Sequence, residues 1–237
     1  MNTRMLSLLL PKNMQPADMV YENYQRICAE LKPYGCRLVA VTKNRSAEEV
    51  MALYRAGQRI FGENRVQELC AKRTQLPHDA EWHLIGHLQT NKVKYIAPFV
   101  KLIHSVDSMK LLKEIERQAC KCNRKIDVLL QIFIAEEETK FGMSTEEAES
   151  LLSSGDYRSM SYVRIVGLMG MATNTRDEAK VDKEFAGLKN FFEYLKTQYF
   201  GNIPAFKELS MGMSQDYKIA LRHGATYVRL GSILFGE

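Results

Sequence analysis

Leu38-Val39-Ala40-Val41-Thr42-Lys43-Asn44-Arg45-Ser46 is an apolar, largely β-branched run that ends in a lysine and gives way at once to a helix start. Ser46, with Glu49 three residues on, reads as a capping box; Val50 and Leu53 give the apolar stripe, and Gly57 marks the helix end. A buried strand followed by an amphipathic helix is half of a parallel βαβ unit. The lysine at its end puts an amine at the mouth of the fold, where burial would leave it uncharged and nucleophilic. Schiff-base chemistry needs such an amine.

Outward from this unit the same alternation recurs along the chain. Candidate strands lie near 37–43, 59–63, 81–87, 102–106, 126–134, 163–171, 206–210 and 226–230. Between them, Ser144 and Glu147 repeat the capping box, and Val181, Phe185, Leu188, Phe192 and Leu195 space out one face of a long helix. An opening helix carries Val20, Tyr24, Ile27 and Leu31 ahead of Pro33 and Gly35. Eight alternating units allow a parallel sheet to close, so the predicted class is α/β, a single (β/α)8 TIM barrel with an extra N-terminal helix. Residues 1–237 form one expected domain, of which 1–14 are read as a flexible N-terminal extension. With six residues after Gly231, no second domain is expected.

Composition agrees. The 237 residues are 46% hydrophobic and 26% charged, an ordinary globular balance. The net charge of +5 is spread along the chain and interleaved with acidic residues, which favours a solvated surface over a nucleic-acid footprint. The apolar run Leu6 to Leu10 is too short for a signal peptide or a membrane span. Five cysteines without a framework spacing fit a reduced cytoplasm, and Cys120-x-Cys122 has no second ligand pair for zinc. A soluble, cytoplasmic monomer is expected.

Active sites of such barrels are built where the strands end. There the chain places Lys43; Gly62-Glu63-Asn64-Arg65; Gly86-His87-Leu88-Gln89; Ser210-Met211-Gly212-Met213-Ser214; and Arg229-Leu230-Gly231-Ser232. Glycine and serine after the last two strands are the parts of a phosphate cradle, supplied by Ser210, Gly212, Ser214, Gly231 and Ser232. Ser214 reads equally as a helix cap. Arg229 reads as an ion pair tying the barrel ends or as a donor to a ring nitrogen or anion; Lys43 as a surface lysine or as the reactive amine. His87 either faces a cofactor ring or simply ends its strand. Trp82, His83 and His104 read as packing. An amine beside a phosphate pocket and a ring-nitrogen partner is the constellation for pyridoxal 5′-phosphate (PLP).

Several longer stretches point the same way: Val39-Ala40-Val41-Thr42-Lys43, Phe61-Gly62-Glu63-Asn64-Arg65-Val66-Gln67-Glu68, Trp82 through Lys92, Lys140-Phe141-Gly142, Gly167-Leu168-Met169-Gly170-Met171, Leu209 through Asp216 and Val228-Arg229-Leu230-Gly231. Together, from about residue 15 onward, they resemble the pyridoxal phosphate homeostasis proteins, single-domain relatives of the alanine racemase N-terminal barrel. The resemblance implies a fold-type III barrel that holds PLP as an internal aldimine on Lys43. It implies that Arg229 donates to the pyridine nitrogen, and that Ser210, Ser214 and the Gly231-Ser232 turn hold the phosphate. It places Asn64, His87 and Met169 among the cofactor-binding residues as well. The implied role is intracellular PLP (vitamin B6) and amino-acid homeostasis without established catalysis, with apo PLP-dependent enzymes as recipients of the cofactor. The alternative is a fold-type III enzyme such as an amino-acid racemase; a barrel aldolase using Lys43 is more distant.

Overall fold

The computed structural model describes residues 16–135, 141–201 and 203–236. The expected extension at 1–14 and Lys140 lie outside these. The chain opens with α1 (Pro16–Leu31) and then alternates strand and helix. The strands are β1 (Arg37–Val41), β2 (Ile60–Glu63), β3 (Glu81–Leu84), β4 (Leu102–Val106), β5 (Ile126–Ile132), β6 (Val163–Gly170), β7 (Glu208–Ser210) and β8 (Tyr227–Leu230). Between them run α2 (Ala47–Arg55), α3 (Val66–Arg73), α4 (Val93–Ile96), α5 (Met109–Lys121), α6 (Thr145–Ser153), α7 (Gly155–Arg158), α8 (Glu178–Leu195), α9 (Tyr217–Arg222) and finally α10 (Ser232–Phe235). Each strand pairs in parallel with the next, and β8 pairs with β1, closing the barrel.

The helix signals read from the sequence are made in the structure. Ser46 and Ser144 each accept from the backbone N–H three residues on, while Glu49 and Glu147 bond back to the cap backbone. The buried face of α8 is Val181, Phe185, Leu188, Phe192 and Leu195.

Strand periodicity divides the apolar residues into two cores. Leu38 and Ala40 face the helices, whereas Val39 joins Ile85, Leu102, Leu129, Val166, Met169 and Tyr227 inside the barrel. In β6 the alternation slips. Val128 is opposite Ile165 but Leu129 is opposite Gly167, so Val166 is an extra residue and the strand changes face. Val166 and Met169, three apart, both point inward, and Leu168 points outward. Only glycine fits at the slip: a Cβ on Gly167 would lie 1.7 Å from the carbonyl oxygen of Glu208.

At the strands' N-terminal end an ion pair joins β1 to β7. Arg37 pairs with Glu208 and lies 3.9 Å from the centroid of the Tyr227 ring. The polar clusters sit at the opposite, C-terminal end of the strands.

Candidate functional site

Lys43 lies two residues beyond β1, at the first position of a turn completed by Asn44, whose φ is +59°. It is exposed, contrary to the buried amine expected at a strand end. Burial falls instead on Lys72 of α3. Its ammonium donates to the carboxylate of Glu63 and to the backbone carbonyl of Thr42, both at 2.5 Å. The hydroxyl of Thr42 donates to the same Glu63 oxygen at 2.6 Å, and Glu63 is fully buried. Glu68 accepts from Lys72 at 3.4 Å and from the Asn44 N–H at 3.3 Å. The residues on both sides of Lys43 are therefore tied to α3, and the lysine is carried on a fixed turn.

The phosphate candidates lie next to this turn. A Cβ on Gly231 would be 3.2 Å from the carbonyl oxygen of Val41, so the backbone after β8 runs against the backbone leading to Lys43. Ser232 opens α10, and the first N–H groups of a helix have no partner within it. Ser214 is half-buried in the loop before α9, whose shape is set by the Met213 N–H donating to the Asp216 carboxylate at 2.5 Å. Of the two serines, Ser214 is the one in the loop; Ser210 lies inside the barrel, fully buried.

Arg229 is buried beside it. Its Nη1 donates to the Ser210 hydroxyl at 2.7 Å and its Nη2 to the Gly170 carbonyl at 3.0 Å. Burial pulls the guanidinium down to about 10, with Asp216 working the other way, so it stays charged at neutral pH. An ion pair tying the barrel ends is not what is found: among the described residues, the hydrogen-bond partners of Arg229 are neutral.

Asn64 and His87 share a cavity of about 480 Å³ with Arg65, Gln89 and Lys92, at the ends of β2 and β3. Gly86 brings the two loops together, since a Cβ there would lie 2.5 Å from the Asn64 carbonyl oxygen. His87 stacks on Phe141 at 4.3 Å between centroids and stands 3.3 Å from the Asp107 carboxylate. Met169 is inside the barrel, opposite Ser210 in the β6–β7 register.

Two groups escaped the sequence reading. The sequence marks Glu63 only as part of the polar cluster after β2 and does not single out Lys72. His83 and His104, read as packing, are fully buried inside the barrel, bonded to each other at 3.0 Å and, through His104, to Ser210 at 2.9 Å. The available signal was alternation, because His83 stands two residues before inward-facing Ile85 and His104 two after Leu102. Among the described residues no group of three or more His, Cys, Asp or Glu could hold a metal ion, and no helix is long and apolar enough to cross a membrane.

Comparison with known proteins supplies the lineage. The alanine racemase N-terminal domain model matches residues 17–237. A pyridoxal phosphate homeostasis protein of Aquifex aeolicus is 38% identical over 92% of this chain and 95% of its own length. This chain belongs to the pyridoxal phosphate homeostasis protein family. A further relative of that name, from Schizosaccharomyces pombe, is 35% identical over 84% of this chain and 83% of its own. Among solved structures, PipY of Synechococcus elongatus with PLP bound superposes with a TM-score of 0.82 at 36% identity, over 92% of this chain and all of that one. Alanine racemase of Bartonella henselae shares the barrel, with a TM-score of 0.73 at 16% identity; the match covers 59% of that chain.

Proposed function

We propose that this chain binds PLP at the C-terminal end of the barrel strands as a Schiff base on Lys43, and serves as a cytoplasmic holder of the cofactor in PLP and amino-acid homeostasis. The observation that carries the reading is Arg229, a buried cation whose hydrogen-bond partners among the described residues are neutral. A guanidinium has five N–H donors, and two bonds leave donors over for an acceptor such as a pyridine nitrogen. Ser214, Gly231 and Ser232 are the phosphate candidates beside the Lys43 turn, and Ser210 belongs to the same site through Arg229. Asn64, His87 and Met169 complete the proposed binding set. When bound, PLP supplies an aldehyde for the lysine and a phosphate dianion for the loops. The relative of known PLP content, PipY, supports the assignment.

A holder is favoured over a racemase because proton transfer on both faces of a Cα carbon needs two positioned groups, of which Lys43 is one. The chain matches the homeostasis relatives over nearly their whole length but the racemase over 59%. On this reading the protein works as a monomer and passes PLP to apo-enzymes.

The test has two arms. Borohydride reduction of the PLP-loaded protein should fix the cofactor's mass on the peptide containing Lys43; label found mainly on Lys92 or another lysine overturns the assignment. Incubation with each common L-amino acid should leave chirality unchanged, and turnover of about 1 s⁻¹ or faster, within the usual enzyme range, would establish an enzyme instead.

A further inference from the structure

Behind Arg229 lies a line of buried polar groups. Ser210 Oγ accepts from Arg229 Nη1 at 2.7 Å and meets His104 Nδ1 at 2.9 Å; His104 Nε2 meets His83 Nδ1 at 3.0 Å. All four side chains are buried. Among the described residues, His83 Nε2 is the one buried side-chain nitrogen or oxygen without a hydrogen-bond partner.

Proton bookkeeping along this line allows two orders. Burial keeps both rings neutral, His83 pushed down to about 3 and His104 well below the ordinary range, so each ring has one N–H and one lone pair. In the first order Ser210 donates to His104 Nδ1, His104 Nε2–H donates to His83 Nδ1, and the one unmatched group is the His83 Nε2–H. In the second every arrow is reversed: His104 donates to Ser210, which already accepts from Arg229, so the serine hydrogen is stranded and His83 Nε2 is left as a bare lone pair. The first order leaves one buried group unpaired and the second leaves two. Each unpaired buried group carries a full desolvation penalty, so the first order wins.

We infer that His104, held by His83, is a positioning residue for Arg229, acting through Ser210. By taking the serine hydrogen, His104 turns the hydroxyl oxygen into a fixed acceptor for Nη1. With Nη2 on the Gly170 carbonyl, the guanidinium plane is then held at two points. The remaining donors face the ligand in one orientation, which presupposes the PLP reading above.

Two measurements test it. In the protein without added PLP, long-range ¹H–¹⁵N spectra should show His83 and His104 both protonated on Nε2, and the Arg229 Nε–H should be sharp and slow to exchange. His104→Leu should abolish that protection, whereas His104→Asn, whose amide oxygen can take the place of Nδ1, should retain it. Apparent PLP affinity should fall about tenfold in His104→Leu, on the order of one intramolecular hydrogen bond. Ser210→Ala should do the same, and the double variant should be no worse than either single. A proton on His104 Nδ1, an Arg229 signal indifferent to His104→Leu, or additive losses in the double variant would overturn the inference. A wild-type protein that takes up no PLP, with the histidines and Arg229 behaving as assigned, would overturn the functional reading and not this relay.

Discussion

The ammonium of Lys72 stands 2.5 Å from the carboxylate of Glu63, and both are buried directly behind the turn that carries Lys43. Two charges withdrawn from water are costly unless paired and further hydrogen-bonded. Here the pair also holds the Thr42 hydroxyl and carbonyl, so its geometry fixes the backbone one residue before the lysine.

Lys72→Met leaves Glu63 buried without its cation. Equilibrium urea unfolding should show a loss of about 3–5 kcal/mol. The double variant Glu63→Gln with Lys72→Met removes both charges and should recover most of that. A single variant within about 0.5 kcal/mol of wild type would mean that the carboxylate finds another partner.

Replacing Arg229 tests its contact with the ligand. Arg229→Glu puts a carboxylate where the cation stood, which favours a protonated pyridine ring, so the visible band of the PLP-loaded protein should move. Arg229→Gln keeps donors without charge and should weaken PLP retention about tenfold while leaving the band near its wild-type position. Unchanged spectrum and retention in both variants would make Arg229 purely structural.

Stability should fall as pH drops below neutrality. His83 is pushed down to about 3 by burial and then by the charges of Arg37 and Lys101; His104 is lowered by burial, then by His83, Arg229 and Arg37. In the unfolded chain both take up protons near about 6.5. Between that value and the depressed native ones the unfolded state binds more protons, so acid favours unfolding. Two such groups give a slope of about 2.7 kcal/mol per pH unit, beginning below about 6.5 and before the carboxylates titrate. Unfolding free energies measured from pH 7.5 to 5 check this, and His83→Leu with His104→Leu should flatten the slope.

Two glycine replacements should act in opposite directions. Gly167→Ala drives a Cβ into the Glu208 backbone oxygen and should cost several kcal/mol, on the order of the worst overpacking substitutions. Gly187 lies exposed within α8 with open space around it, so Gly187→Ala should stabilise by about 0.5–1 kcal/mol. Thermal melts of the two proteins give the answer.

The eight strands were legible because β-branched runs alternate with amphipathic stretches, two of which carry a capping box, at Ser46 and Ser144. Lys43, Arg229 and Gly231 stood out because chemistry-bearing types fell at strand ends. The interior escaped for a physical reason: strands of a parallel barrel are buried on both faces and read as continuous apolar runs, so the alternation that sides His83 with Ile85 and His104 with Leu102 carries little contrast. Their partners are also remote, 106 residues apart for His104 and Ser210. Lys72 sits in the last turn of α3, where a basic residue is ordinarily a solvated complement to the helix dipole, and nothing in the local sequence marks its turn toward Glu63.

The slip in β6 makes that strand two half-strands of opposite phase spliced at Val166 and Gly167. Straightening the strand at unchanged length, with Val166 rather than Gly167 opposite Leu129, would give a regular ladder and, in the same stroke, exchange the faces of everything beyond it: Leu168 would enter the barrel beside Ser210, and Met169 would turn to the helices. The flaw in the pairing is thus a frame marker. Repairing it at constant length would do more damage to the C-terminal end of the barrel than the irregularity itself, and a redesign that idealises this sheet must either keep the bulge or take out one residue.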